Sequence, residues 1–246
     1  MQSKMAEKSY FSHEVEPQEV DFTLRAKAPA LIMAALNAAG RDARCKGFGV
    51  DELGNENRTW VLGRMAVEFD RRPAQYEPYR VETWISGYNR ALSTRNFRLL
   101  GGDGEPFAKI VSQWAMLDLA SRTAVDLSQL GDAHDRFVVP DPLPIDPPCR
   151  LRPLGEGAET TERRVVYGDI DFNRHFNTIR YIELIFDRLP VEAIAEDRPF
   201  RLDIHFLHES RLGETLRIAC EECEEGFGFE IATEEHPCVR ASVRWR

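Results

Sequence analysis

The chain reads twice through the same order of elements, and this repetition restricts it to a fold built from two similar halves. Each half offers a short strand, one apolar helix and then four strand-like runs. The halves meet at residues 140–158. There Pro140, Pro142, Pro144, Pro147 and Pro148 exclude regular structure, and Gly155 and Gly157 follow. A stretch of that length serves as an interdomain connector. The expected organisation is an N-terminal domain over 1–139, the linker over 140–158 and a C-terminal domain over 159–246. With 246 residues, 43% of them hydrophobic, the chain can bury two cores.

In the first half, Phe22-Thr23-Leu24 reads as the short strand. Pro29 opens a helix through about Gly40, with Leu31, Ile32, Ala35 and Ala39 on its apolar face. Strands are expected at 59–70, 79–88, 95–100 and 109–119, the last two flanking the turn Gly101-Gly102-Asp103-Gly104. In the second half a strand at 162–167 precedes a helix at 177–189. Ile179, Ile182, Phe186 and Leu189 form its apolar stripe, and Pro190 stops it. Strands follow at 200–208, 215–221, 227–233 and 239–245. In the first of these, Phe200, Leu202, Ile204 and Phe206 alternate with Arg201, Asp203 and His205, as in an antiparallel strand with one wet face. A lone apolar helix must bury its stripe, and an antiparallel sheet curled around it is the simplest cover. The class is therefore α+β and the expected fold a tandem, or double, hot-dog. Periodicity alone also fits two α+β units of another topology.

Composition narrows the function classes. The formal net charge is -9 and the pI about 5.3, which makes the chain a poor partner for nucleic acid or an anionic membrane surface. No apolar run approaches the roughly 20 residues of a spanning helix. Residues 1–20 carry Glu7, Glu14, Glu16 and Glu19 and no apolar core, so neither a signal nor a transit peptide is read there. Five scattered cysteines favour reduced thiols and a cytoplasmic location. Cys220 and Cys223 would point to opposite faces of a strand, so no metal site is expected. The Gly101–Gly104 run lacks a following helix and is no phosphate loop. No cofactor is expected.

The chemistry concentrates at Asp171-Phe172-Asn173-Arg174-His175, just before the second helix. A helix N-terminus carries unpaired N–H groups and partial positive charge, which suit an oxyanion formed in acyl transfer. A histidine beside it can move protons near neutral pH. Asp, Asn and His are also common cap and turn residues, and spacing alone fits that bland role as well.

Residues 161–182, with the run Asp169-Ile170-Asp171-Phe172-Asn173-Arg174-His175-Phe176-Asn177 leading into Tyr181-Ile182, closely resemble the acyl-[acyl carrier protein] thioesterases of plants and bacteria. Thr59-Trp60-Val61-Leu62 with Arg64 and Met65, then Glu82-Thr83-Trp84, resemble that family's first-half strands. His208-Glu209-Ser210 falls where the plant enzymes carry a Glu-Cys pair. The resemblance implies a double hot-dog that releases fatty acid from acyl carrier protein, and it assigns Asp171, Asn173, His175 and Glu209 to the site. Ser210 departs from the family's cysteine. A serine hydroxyl is a weak nucleophile without an activating base, so attack by water is the favoured route. Glu209 would be the general base, His175 and Asn173 would position water or thioester, Asp171 would orient its neighbours, and backbone N–H groups near Asn177 would hold the oxyanion. Strict alternation sets Glu209 on the face of Arg201, Asp203 and His205. To meet His175 it must lie at a strand end, at a bulge, or on a face meeting the other half.

Only the second half has the motif, because Arg25-Ala26-Lys27-Ala28 precedes the first helix. One active site is expected, with the acyl pocket drawn from Val61, Leu62, Met65, Val67 and Trp84, each of which would equally serve as plain core. Arg163, Arg164, Arg174 and Arg180 bracket the motif and are the expected docking residues for an acidic acyl carrier protein. Competing readings are an acyl-CoA thioesterase and a non-catalytic acyl-binding hot-dog. A homodimer through an exposed edge strand is compatible with the sequence.

Overall fold

The structure is a computed structural model that describes residues 6–130, 135–155 and 157–246. Residues 1–5, part of the segment expected to carry no targeting signal, lie outside the described residues. The chain divides into two compact units. Unit 1 comprises Met1–Gly63 and Arg72–Pro147, and unit 2 comprises Arg64–Arg71 and Pro148–Arg246. No helix or strand occurs in residues 140–155 or 157–158. Each unit is a hot-dog, an antiparallel sheet with one principal helix.

Unit 1 contains β1 (Ser9–Glu14), α1 (Ala28–Cys45), α2 (Val50–Asn55), the first part of β2 (Arg58–Phe69), β3 (Pro78–Tyr88), β4 (Ser93–Gly101), β5 (Pro106–Asp118) and β6 (Thr123–Ala124). The sheet order is β1-β3-β4-β5-β2, with β6 on β5. The helix buries Leu31, Ile32, Ala34, Ala35, Ala38 and Ala39. These are mostly alanines, which let the helix axis approach the sheet. The helix outruns its expected end at Gly40. Asp42 in the following turn is buried and held by Ser9, Arg95 and Lys46, so tertiary bonds override the weak propensity of one glycine. The chain leaves the helix at Gly47, whose φ of 78° closes the last turn.

Phe22-Thr23-Leu24 is a turn and not the expected strand. The Asp21 carboxylate accepts the Thr23 N–H at 2.8 Å and Leu24 adopts a φ of 57°, so the side chain reverses the backbone locally. The strand of this region lies earlier, at β1, where alternate residues are exposed and the apolar signal is correspondingly thin.

Unit 2 contains β7 (Glu159–Arg164), α3 (Thr178–Phe186), α4 (Val191–Ala195), β8 (Phe200–Phe206), β9 (Thr215–Cys223), β10 (Gly226–Ala232) and β11 (Pro237–Trp245). Its sheet order is β2-β8-β11-β10-β9-β7, with β2 entering through residues 64–69. Asn177 caps α3, its side-chain oxygen accepting the Ile179 N–H at 2.8 Å. The α3 stripe of Tyr181, Ile182, Leu184 and Ile185 is buried, and Tyr181 and Phe186 meet Phe206 and Phe200 of β8.

The wet face expected for β8 is largely dry. Arg201 and Asp203 are 6% and 0% exposed. They form a two-pronged pair at 2.7 and 2.8 Å, extended by Glu68 to Arg201 and by Arg244 to Asp203. The Cys149 N–H, donated at 3.4 Å, closes over Asp203 from the linker. Charge pairing here replaces water, which lets polar residues occupy a covered face.

Candidate active site

The motif loop is a chain of local bonds. Tyr167–Asp169 forms a single 3-10 turn, and the fully buried Asp169 accepts the Val166 N–H at 3.0 Å. Asp169 also binds Arg163 at 2.5 Å and Arg180 at 3.2 Å. Burial pushes its carboxyl up, and these donors more than offset that, holding it below the ordinary range. The Asp171 carboxylate then accepts the N–H of Asn173 at 2.9 Å and of His175 at 3.1 Å, while the Asp171 N–H donates to the His175 carbonyl at 2.9 Å. Arg174 takes a φ of 65° to close the turn. The result presents His175 at the mouth of α3.

Glu209 lies beyond the end of β8, so strand parity does not constrain it. Its loop is stitched to the motif loop by the Phe176 N–H donated to the Ser210 carbonyl at 2.8 Å, and by the bridge between His175 and Arg211. The Glu209 Oε2 stands 3.0 Å from the His175 Nε2, and both side chains are 32% exposed, so solvent and substrate can reach them. The Arg211 guanidinium donates to the other oxygen at 2.7 Å. His236 Nε2 sits 3.3 Å from the Glu209 carbonyl and its ring is 4.7 Å from that of His208. Asp171, His175 and Glu209 therefore converge, with Asn173 exposed on the same turn. Arg211 and His236 are not legible in the sequence as site residues. The only signal for Arg211 is a cation two positions after Glu209.

Ser210 points away from this chemistry. It is 0% exposed, and its hydroxyl bonds the Tyr181 hydroxyl at 2.6 Å. Burial is the main cause that pushes the Tyr181 phenol well above its ordinary range, so both groups stay neutral.

Other expected residues are more scattered. Val61 is 39% exposed, Leu62 is buried, and Met65, Val67 and Trp84 are fully buried. Trp84 belongs to a cluster with Val111 and Leu143 in unit 1. Its indole N–H donates to the Asp141 carbonyl at 2.7 Å, and Lys8 lies 4.1 Å over its ring. Met65 and Val67 lie in unit 2, paired with Ile204 and Leu202 of β8. Arg163 and Arg180 turn inward to Asp169, whereas Arg164 and Arg174 are exposed. Cys220 is buried and Cys223 exposed.

Unit 1 contains a counterpart of this loop. Asp21 accepts the Thr23 N–H, Leu24 takes positive φ, and the Ala26 N–H donates to the Pro73 carbonyl at 2.8 Å, matching Asp171, Arg174 and the Phe176–Ser210 bond. Arg25 bridges Ala74 as His175 bridges Arg211. By this register Arg25 stands in the place of His175 and Arg72 in that of Glu209, and Arg72 is ion-paired to Asp21. The carboxylate is therefore present before the first helix, but further from it than the four residues Arg25–Ala28. The clue in the sequence is that Val15, Asp21 and Phe22 recur at one constant offset as Val165, Asp171 and Phe172.

Two family models match the chain, the acyl-ACP thioesterase N-terminal domain over residues 7–129 and the acyl-ACP thioesterase C-terminal domain over 155–246. A crystal structure of an acyl-ACP thioesterase from Bacteroides thetaiotaomicron is 33% identical with a TM-score of 0.89, covering 97% of this chain and 98% of that one. The 12:0-ACP thioesterase from Umbellularia californica shares the fold at 19% identity and a TM-score of 0.85, covering 97% of each chain. A chloroplastic palmitoyl-acyl carrier protein thioesterase from Gossypium hirsutum is 23% identical over 223 residues, 82% of this chain and 53% of that protein. The chain thus spans about half the length of the curated relatives it matches.

Proposed function

The chain belongs to the acyl-ACP thioesterase family, and from that premise we propose that it hydrolyses fatty acyl-acyl carrier protein thioesters to release free fatty acid. The observation that carries the reading is the half-buried pairing of Glu209 with His175 beside the N-terminus of α3. A carboxylate offers about four acceptor positions, so contact with Arg211 and His175 is compatible with Glu209 taking a proton from water. His175 and the exposed Asn173 position that water and the thioester carbonyl, and Asp171 fixes both through their backbone N–H groups. The N–H groups of Phe176 and Asn177 are already bound to Ser210 and Asp169. The oxyanion therefore falls to the Thr178 N–H, first in the helix, with the positive end of α3 behind it. Met65 and Val67, fully buried on the strand beside β8, are the acyl-pocket candidates that share a unit with this site. Five free cysteines suit a reducing compartment such as the cytoplasm.

The test is hydrolysis of a panel of acyl-carrier thioesters of varied chain length, run beside the matching acyl-CoA esters. Preference for the carrier substrates supports the reading. Turnover of CoA esters alone transfers the site to the other substrate class, and no turnover of either rejects it.

Ser210→Ala separates water attack from covalent catalysis. With its hydroxyl sealed against Tyr181, the substitution is expected to change kcat by less than about tenfold. It should lower stability by about 1 kcal/mol through the lost buried hydrogen bond. Steady-state kinetics and urea unfolding measure the two effects, and a collapse of kcat in a folded variant would restore a nucleophilic role.

A further inference from the structure

Unit 2 carries a second feature away from the catalytic loop. A half-open cleft of about 430 Å³ is lined by Arg150, Arg152 and Arg240 with Leu151 and Pro153. Arg240 belongs to a cross-strand row, between His205 on β8 and Glu230 on β10. Arg64 on β2 pairs with His205 on β8, and His205 pairs with Arg240 on β11. Three cationic or titratable side chains thus stand abreast, an arrangement that costs stability when like charges are directly opposite. Arg240 is neutralised by Glu230 at 2.6 Å. Among the described residues no carboxylate pairs with Arg64, Arg150 or Arg152. The next rows along the same strands are different, because Arg201 and Arg244 are matched there by Glu68 and Asp203. Arg64, Arg240 and Arg150 all bear electrostatically on His205, whose buried Nδ1 has no hydrogen-bond partner. Burial first and then these arginines push that imidazole below its ordinary range, so the row carries no charge on its central member at neutral pH.

We propose that this arginine row and cleft form the docking surface for an acidic protein, the acyl carrier of the reaction proposed above, on which the inference rests. Three physical arguments select that occupant. A chain of net charge -9 repels an acidic partner everywhere except at a local cationic surface. The cations lie in a row and do not form a closed cup. Adjacent strands are about 4.8 Å apart. Carboxylates on successive turns of a helix are about 5.4 Å apart. An acidic helix laid across β2, β8 and β11 therefore passes from Arg64 to Arg240 in about two turns, with the uncharged His205 between them. Finally, the row sits on strands that lead into the site. His205 is four residues before Glu209, and Arg240 is four residues after His236, which touches the Glu209 carbonyl. Four residues of extended chain span at most roughly 14 Å, so both paths along the backbone are short. Arg163 and Arg180, expected from sequence to dock the carrier, are spent on Asp169.

The test is the double variant Arg150→Glu/Arg152→Glu, placed in a segment without regular structure so that the sheet is untouched. Its kcat/KM is measured on an acyl-carrier thioester and on an acyl N-acetylcysteamine thioester, at low and high salt, beside the wild type and an Arg164→Glu control. A fall of tenfold or more with the carrier substrate, through KM, with a flattened salt dependence and unchanged turnover of the small thioester, is the expected result. Unchanged carrier kinetics, an equal loss on both substrates, or a comparable carrier-specific loss in Arg164→Glu alone overturns the assignment. If the wild type hydrolyses neither substrate, the thioesterase reading fails by itself. Docking is then judged by fluorescence anisotropy of labelled carrier, where binding lost in the double variant sustains the surface and equal binding removes it.

Discussion

Glu209→Gln is expected to lower kcat by about 10²–10⁴-fold, the range over which a positioned base contributes, with little change in KM or folding. Glutamine preserves the shape of the side chain and an oxygen for Arg211 or His175, but it cannot take a proton from water. The contacts of Glu209 with His175 and Arg211 are partly open to solvent, and even an exposed ion pair contributes only about 0–1 kcal/mol, so the thermal midpoint should hold. The measurement is steady-state kinetics on the best acyl-carrier substrate, paired with a melting curve. Retention of a tenth or more of wild-type kcat by a folded variant would pass the role of base to His175.

The largest expected effect on stability lies in unit 1, at a carboxylate that takes no part in that chemistry. Asp42→Ala removes a carboxylate that is 1% exposed and accepts bonds from Ser9 at 2.6 Å, Arg95 at 2.7 Å and Lys46 at 2.7 Å. The Arg95 guanidinium, itself buried, would be left with the Thr83 hydroxyl at 3.3 Å. Breaking one side of a buried pair costs about 3–5 kcal/mol, a large part of the roughly 5–15 kcal/mol that holds a domain folded. Burial pushes the Asp42 carboxyl up, but Arg95, Lys46 and Ser9 outweigh it and hold the group below its ordinary value. A carboxyl depressed in the folded state stabilises above its unfolded pKa of about 3.9 and loses that contribution as pH falls through the folded value. Urea unfolding at neutral pH should show the deficit, and the deficit should shrink in strong acid. A variant within about 1 kcal/mol of wild type at neutral pH would refute the account.

Much of this architecture is legible because apolar period and turn chemistry agree over long runs. The strands β2–β5 and β8–β11 fall within a few residues of their expected positions. The misses have separate physical causes. The turn at Phe22 imitates a strand because its reversal is made by the Asp21 carboxylate, a bond that hydropathy does not register. The continuation of α1 past Gly40 depends on Asp42 finding Arg95 far along the chain. The polar positions of β8 look wet by alternation, yet Arg201 and Asp203 satisfy one another under the linker. The motif loop and Glu209 stand out by family resemblance; spacing does not distinguish a site from a cap. What no local pattern can supply is the meeting of the two loops. Glu209 escapes strand parity by lying past the end of β8, and Arg211 and His236 acquire meaning only through that placement.

The allocation of residues 64–71 to unit 2 has a consequence for how the protein is made. On the ribosome these residues emerge long before Pro148, so β8 finds its β2 neighbour already synthesised and waiting. Unit 2 cannot complete its sheet as a fragment begun at the linker, because its β8 edge would lack the run from Arg64 to Phe69. Excision of the C-terminal half should therefore yield an insoluble product, and its rescue should require the stretch Arg64–Arg71 to be supplied in trans or fused at the start.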